Sequence, residues 1–260
     1  MFRELLNARH AMVILVAMLP ATAIAQQASD ALLRRSDVGA FAPSSFRARL
    51  GLATDVGGTT HTIEVWRSTG ARTLIRFLDA KERGKYLLRI GDQIWLLSPN
   101  AKKPVHLNPS YRLYGGATID EVLGVRLAND YRIASTTREH DPAGTLVAFE
   151  LRAKSDQALF PQVRYSVREA TERAVKAVYR LRSGRDATAI DFLEWNEKPL
   201  TYARRLVVTD LLRHGARTEV RVLELEERQI PDGIFDLADS TLRRALEDDP
   251  SLHSLRKQNH

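Results

Sequence analysis

Cysteine is absent from all 260 residues. That excludes disulfide staples and lipid attachment at a cysteine, so stability has to come from a packed core. Long membrane-crossing runs are absent too: the apolar stretch Ala11 to Leu19 stops at Pro20, short of the roughly 18 residues that span a bilayer. No glycine- or proline-rich linker divides the chain, and it shows no internal repeat or low-complexity segment, so one domain is expected. Catalytic signatures are also missing. There is no HExxH, GxSxG, P-loop or dinucleotide-binding glycine pattern. His61, His106, His140 and His214 are scattered, no two at ligand spacing, so no metal site is expected. The acidic pairs Asp120-Glu121 and Glu226-Glu227 fit a helix N-terminus and an exposed strand end better than paired acid and base groups. Neither an enzyme nor a cofactor is expected.

What is present begins with a secretory pattern. Arg3 and Arg9 form a charged region, Ala11 to Leu19 an apolar core, and Ala23-Ile24-Ala25 a small-residue cleavage site. Cleavage near Ala25 leaves a mature chain starting at Gln26 and exported to the periplasm. Losing Arg3, Arg9 and Glu4 lowers the formal charge from +7 to +6. Excess positive charge favours acidic partners. For an exported chain these are anionic lipid head groups or acidic envelope proteins, not nucleic acid.

The rest of the chain alternates. A short helix with Ser29 as possible N-cap is expected before Pro43, followed by strands at FRARLGL from Phe46, HTIEVWRS, RTLIRFLD, KYLLRI, QIWLLS, TLVAFELRA, QVRYSVRE, RAVKAVYRLRS, DATAIDFLEWNE, YARRLVVTDLLR and TEVRVLELEERQ. Turn signals such as Gly57-Gly58, Ser68-Thr69-Gly70, Ser183-Gly184 and His214-Gly215 join them into an antiparallel meander of about ten strands. Arg164, Arg168, Lys176 and Arg180 alternate with Val163, Tyr165, Val167, Ala177 and Tyr179, so one face is wet and the other covered. A sheet this long curls, and its concave face must be filled, covered or left as a cavity. A short helix is expected at Ser240 to Leu246, and a frayed basic tail at 251–260.

The block Phe77 to Tyr131 carries the most information. Gly91-Asp92 separates KYLLRI from QIWLLS as a two-residue turn, which sets Ile90 opposite Gln93 and Leu88 opposite Trp95. Tyr86, Leu88 and Ile90 then share a face with Leu97 and Trp95, while Leu87, Arg89, Ile94 and Leu96 take the other. Further on, TIDEVLGVRL reads as one helix capped by Thr118, with Ile119, Val122 and Leu123 in its apolar stripes. It is either a core-completing connector or a lid hinged at Gly115-Gly116. Lys102, Lys103 and Arg112 beside Tyr111 and Tyr114 suit a basic aromatic rim above an apolar pocket.

The order ERGKYLLRIGDQIWLLSPNAKKP, a glycine pair, TIDEVLGVRLANDY and QVRYSVREATERAVKAVYRLRSG resembles the outer-membrane lipoprotein-sorting family, relatives of the periplasmic carrier LolA. The resemblance runs from Ser29 to Leu246. It implies a mainly β (α+β) fold: a single curved antiparallel sheet forming an incomplete β-barrel, closed by short helices around a hydrophobic cavity for acyl chains. By the same resemblance, Gly84 to Pro104 supplies two central strands, Gly115 to Tyr131 the lid, and IPDGIFDLADSTLRRA a closing strand and terminal segment. The expected organisation is a signal peptide over 1–25, the half-barrel over 26–250 and the tail beyond. Cavity lining is expected from Ile63, Val65, Ile75, Phe77, Leu88, Ile90, Trp95, Leu97, Val147 and Phe149, with Ile119, Val122 and Leu123 in the lid. The expected function is a monomeric carrier of lipoprotein or lipid acyl chains that exchanges cargo with an inner-membrane donor and an outer-membrane acceptor. The alternative is a lipid-sensing regulator, or an adaptor working with a lipid exporter.

Overall fold

Alternating burial along β1 (Phe46–Thr54), β2 (Thr60–Arg67) and β3 (Arg72–Phe77) shows how the sequence builds its sheet. Every second side chain turns into the core and the next turns away. The computed structural model describes residues 21–37, 45–55, 58–69, 72–91, 93–99, 101–108, 111–114, 116–123, 126–156, 158–213 and 215–237. The first half continues with β4 (Tyr86–Ile90), β5 (Gln93–Leu97) and β6 (Val105–Leu107). The second half holds β7 (Tyr131–Asp141), β8 (Gly144–Ala153), β9 (Gln162–Arg168), β10 (Arg173–Arg180), β11 (Asp186–Asn196), β12 (Tyr202–Asp210) and β13 (Ala216–Glu227).

These form one 13-stranded sheet in the order β6-β5-β4-β3-β2-β1-β13-β12-β11-β10-β9-β8-β7, every neighbouring pair antiparallel. All but one junction is a local meander step. The exception is β1 against β13, in a register running from Phe46↔Glu227 to Thr54↔Thr218. The edges β6 and β7 do not pair with each other, so the sheet stays open, as an incomplete barrel requires.

Two of the strands carry no alternation signal. Most of β7 is exposed or half-buried, with polar residues on both faces as befits an edge, and β6 is a three-residue edge strand. The hairpin register is the expected one: Tyr86↔Leu97, Leu88↔Trp95 and Ile90↔Gln93. Gly91 takes φ +59°, the left-handed backbone that a primed turn requires.

Three helices complete the described chain: α1 (Ala21–Ser36), α2 (Ile119–Leu123) and α3 (Leu127–Asp130). The first begins upstream of the expected cleavage point at Ala25, and Ser29 lies inside it instead of capping it. The single helix expected from Thr118 onward is two short ones. Asp37 supplies the local cause, because its carboxylate accepts from Leu127 N (2.9 Å) and Ala128 N (2.8 Å) and so fixes a fresh helix start at Leu127. The segment from Ile230, expected as a closing strand, instead forms a 3₁₀ turn at Asp232–Phe235. The strand that meets β1 is β13. The apolar run at Ala11 to Leu19, the helix at Ser240 to Leu246 and the tail at 251–260 lie outside the described residues. Among the described residues, no helix is long and apolar enough to cross a membrane.

Candidate functional site

The sheet buries apolar side chains on both faces of its first half. On one face Ala48 pairs with Val65, Leu50 with Ile63, Val65 with Ile75, Ile63 with Phe77 and Ile75 with Leu87, so an apolar row crosses three strand junctions. On the second half the same cluster contains Val147, Phe149, Leu151, Val163, Tyr165 and Val167. Leu32 and Leu33 of α1, Ile119, Val122 and Leu123 of α2, and Leu127 of α3 belong to it too, so this is the helix-covered face.

The residues expected to line one cavity therefore divide. Ile63, Val65, Ile75, Phe77, Val147 and Phe149 lie on the helix-covered face together with Ile119, Val122 and Leu123. Leu88, Ile90 and Leu97 lie on the opposite face in a smaller cluster with Trp66, Leu74 and Tyr86, covered by Ile230, Ile234 and Phe235. Trp95 pairs with Leu88, so register puts it on that outer face as well, and its ring meets His106 edge-on at 5.8 Å. Register is the cause of this correction. Because β3 meets β4 at Ile75↔Leu87 and β4 meets β5 at Leu87↔Leu96, the inward residues are Leu87, Ile94 and Leu96, and one residue's offset exchanges the faces.

The chain from Tyr111 to Leu123 crosses this covered face between two anchor points. At the first, the Tyr114 ring stacks on His61 at 3.7 Å and its hydroxyl donates to Asp79 Oδ2 at 3.1 Å. The same Asp79 oxygen lies 2.6 Å from His61 Nδ1. Arg112 donates to the Gly116 carbonyl and lies 2.9 Å from buried Asp210. Gly116 N donates to Thr218 Oγ1 at 3.3 Å, and a Cβ on Gly116 would come within 3.4 Å of the Asp210 side chain. Gly116 is thus clamped against β12 and β13. Arg112 and Tyr114, expected on an open rim, are the clamps, while Lys102 and Lys103 are exposed.

Thr118 starts α2 with a reciprocal cap. Its hydroxyl accepts from Glu121 N (3.3 Å), and Glu121 Oε2 accepts from Thr118 N (2.7 Å). Glu121 is buried at 2 % exposure, and its other oxygen, Oε1, has no hydrogen-bond partner. The second anchor point is Arg67, which follows Val65 by two residues on β2 and so points to the same face. Its Nη1 donates to the Leu123 carbonyl at 3.5 Å, and its Nε is buried without a partner. Burial first, then the charges of Arg126 and Arg89, lower its pKa to about 10.

Asp37 joins α1 to α3, and burial pushes its carboxyl up to about 6 against the two amide bonds that favour the ionised form. Tyr165 donates to the Ser36 carbonyl at 2.9 Å, and burial raises its phenol as well. Arg67, Asp37 and the Glu121 cap did not enter the sequence reading of the site. Two signals for them were present: Thr118-x-x-Glu121 has capping-box spacing, and Arg67 is a charge placed at an inward strand position.

Elsewhere the outer face is a lattice of ion pairs. Arg164 reaches Glu139 and Glu150, Arg180 reaches Glu150 and Asp186, and Arg205 reaches Glu194 and Glu219. Near β2 the lattice is buried. Glu64 is fully buried between Arg47, whose Nε donates to Oε1 at 2.5 Å, and Arg76, whose Nη2 lies 2.8 Å from Oε2. Among the described residues, no group of three or more His, Asp or Glu side chains is placed to hold a metal ion.

Comparison with known proteins follows the fold closely. A family model described as an uncharacterized "-like" protein matches residues 69–241, well over half of the chain. A LolA superfamily protein from Nitrosomonas europaea is similar with a TM-score of 0.71 at 21% identity, covering 79% of this chain and 96% of that one. A putative outer membrane lipoprotein-sorting protein domain from Vibrio parahaemolyticus gives 0.65 at 15% identity, covering 80% and 95%. A DUF1329 family protein from Desulfovibrio piger gives 0.67 at 15% identity, covering 82% and 98%. No curated protein matches the chain.

Proposed function

The chain belongs to the family whose model matches residues 69–241 and has a LolA-like fold, and from that premise we propose that it is a periplasmic carrier that shelters acyl chains of lipoproteins or lipids between the open sheet and α2. One observation carries this reading. The apolar row from Ala48 to Leu87 shares one buried cluster with a five-residue helix, α2, whose neighbours in the chain are held by a few polar contacts. Burying Ile119, Val122 and Leu123 contributes about 1.5–3 kcal/mol each, roughly 5–9 kcal/mol together. An acyl chain gains about 0.8 kcal/mol per buried CH₂, so about six to eleven methylenes match what the helix would give up. Exchange of helix for cargo is then close to balanced, which lets a donor load the protein and an acceptor unload it.

The polar groups favour that exchange. Glu121 Oε1 is buried without a partner, a penalty of about 1–3 kcal/mol that hydration removes when α2 lifts. The Arg67 to Leu123 bond, at 3.5 Å, is long and gives way readily. No bond in the cargo is made or broken. Cargo passes from an inner-membrane donor to an outer-membrane acceptor, the step expected for an exported chain. The test is to purify the protein from an envelope extract, analyse bound lipid by mass spectrometry and titrate the delipidated protein with a fluorescent fatty acid. Absence of both co-purified lipid and binding would refute carriage and leave a regulatory or adaptor role for the same scaffold.

A further inference from the structure

The helix-covered face is apolar along most of its length and strongly basic at one end. Arg67 closes β2, Thr73 lies beside it as the second residue of β3, and Arg89 lies across Thr73 on β4, the registers being Arg67↔Thr73 and Thr73↔Arg89. All three point to the covered face, since they continue the alternation of Val65, Ile75 and Leu87. Two strand spacings put the two arginine backbones about 10 Å apart, within reach of one small anion for two long side chains. Arg126, just before α3, adds a third guanidinium whose charge acts on Arg67. Asp130 acts on Arg67 in the opposite sense, and Arg89 Nε is held by the Gly91 carbonyl at 2.8 Å.

We propose that Arg67, Arg89 and Arg126 form a binding site for the anionic head group, carboxylate or phosphate, of an amphiphile whose acyl chain lies along the apolar row. The proposal rests on the carriage reading and names its cargo class. Three features require an anion here. Like charges converge where the sheet turns from apolar to basic. The buried Arg67 Nε has a hydrogen to donate and nothing to receive it. Burial and the neighbouring arginines already disfavour the Arg67 charge, and an anion would reverse that. The geometry also orders the ligand. With its head at Arg67, the chain runs along Val65 and Ile63 on β2 toward the Tyr114 clamp, in the space α2 occupies. Head-group binding would then compete with the Leu123 carbonyl for Arg67, so cargo would help to release the helix that covers its path.

The experiment compares oleate with oleyl alcohol, which has the same chain and no charge, by displacement of a fluorescent fatty ester from the purified protein, with and without inorganic phosphate. Charge-assisted hydrogen bonding predicts that oleate binds roughly tenfold to a hundredfold more tightly than the alcohol. Arg126→Gln and Arg89→Gln should each reduce that ratio while leaving the alcohol's affinity unchanged. It is Arg67 that donates to the Leu123 carbonyl, so these two variants separate head-group binding from helix release, whereas Arg67→Gln should alter both. Competition by millimolar phosphate against oleate alone supports the site and shows that a free anion suffices to fill it. A failure of phosphate to compete, with the oleate preference intact, supports a head group that binds only when tethered to its chain. Equal affinities for oleate and oleyl alcohol overturn the anion site and leave carriage standing. Binding of neither overturns both.

Discussion

Replacing Ile119 with alanine separates a covering helix from a core helix, because the two roles predict opposite effects on binding. Ile119 is 1 % exposed, and Val122 and Leu123 of α2 are buried in the same cluster. Truncating a buried isoleucine costs about 2–5 kcal/mol, and a five-residue helix that can settle into the space belongs near 2. In a protein of this size about 2 kcal/mol lowers Tm by roughly 4–8 °C. If α2 occupies the place of the cargo, the same loss lowers the cost of lifting it, so apparent acyl affinity should rise by up to about thirtyfold. The variant would thus be less stable and a tighter binder. Leu74→Ala is the matching control, since Leu74 is equally buried on the opposite face: it should lower Tm comparably and leave binding alone. Fluorescent fatty-acid titration beside thermal denaturation reads both quantities. If Ile119→Ala weakens binding in step with stability, α2 is part of the binding core and the covering role is refuted.

Four further outcomes follow from particular contacts. Glu64→Gln leaves Arg47 and Arg76 facing each other in a buried site, so stability should fall by about 3–5 kcal/mol; a denaturation midpoint unchanged from the native protein would show that the pair is solvated. Thr118→Val removes one half of the capping box, should cost about 1 kcal/mol and, by loosening α2, should tighten acyl binding; unchanged binding would argue against coupling. Gly116→Ala should displace the Asp210 side chain, which a Cβ approaches to 3.4 Å, and protease cleavage between Arg112 and Leu123 should quicken. Asp37 has a folded pKa of about 6 against 3.8 unfolded, so the folded state holds the proton more tightly and the stability due to Asp37 is present below about 4 and lost as pH rises through 6. Relative to Asp37→Asn, the native protein should gain stability as pH falls from 7 to 4; a difference between the two that stays flat across that window would exclude the effect.

How much of this was legible in the sequence depended on which interactions were local. Strands β1 to β5 and β8 to β13 were readable because alternation, β-branched residues and short turns lie within a few positions of each other. The Gly91 turn likewise fixed the β4 and β5 register. The face assignment failed at the next level. Phe77 and Tyr86 are joined through a 3₁₀ turn at Ala80–Glu82, and no local pattern states whether Ile75 meets Leu87 or Leu88. Both residues are apolar because both faces of the sheet are covered there, one by helices and one by Ile230 to Phe235. Strand β7 was unreadable for the opposite reason, being polar on both faces. Asp37 and Arg67 work through partners roughly ninety and sixty residues away in the chain, Leu127 and Leu123, and no window of sequence contains such a pair.

The distribution of strong and weak contacts bears on how such a protein could open without unfolding. The sheet is held by continuous antiparallel ladders, and the β1 to β13 junction ties the two chain halves by nine paired positions, with one irregularity at Arg49/Leu50. On the outer face, ion pairs link strands, as Arg164 of β9 does with β7 and β8 and Arg205 of β12 with β11 and β13. Exposed pairs contribute little singly, but shared partners such as Glu150 and Glu219 link them into networks. None of these contacts involves α2. Among the described residues, the helix is held by three apolar side chains, one reciprocal cap, one long bond from Arg67 and the clamps at Gly116. Lifting it would uncover part of the helix-covered apolar cluster and leave every strand ladder in place. An element with few contacts beside a scaffold with many opens at lower free energy than the whole. Hydrogen exchange should therefore show the amides of α2 exchanging well before those of β1, β2 and β13, and addition of an acyl ligand should change the first group while leaving the second as it was. Uniform exchange across both groups would refute the separate opening of α2.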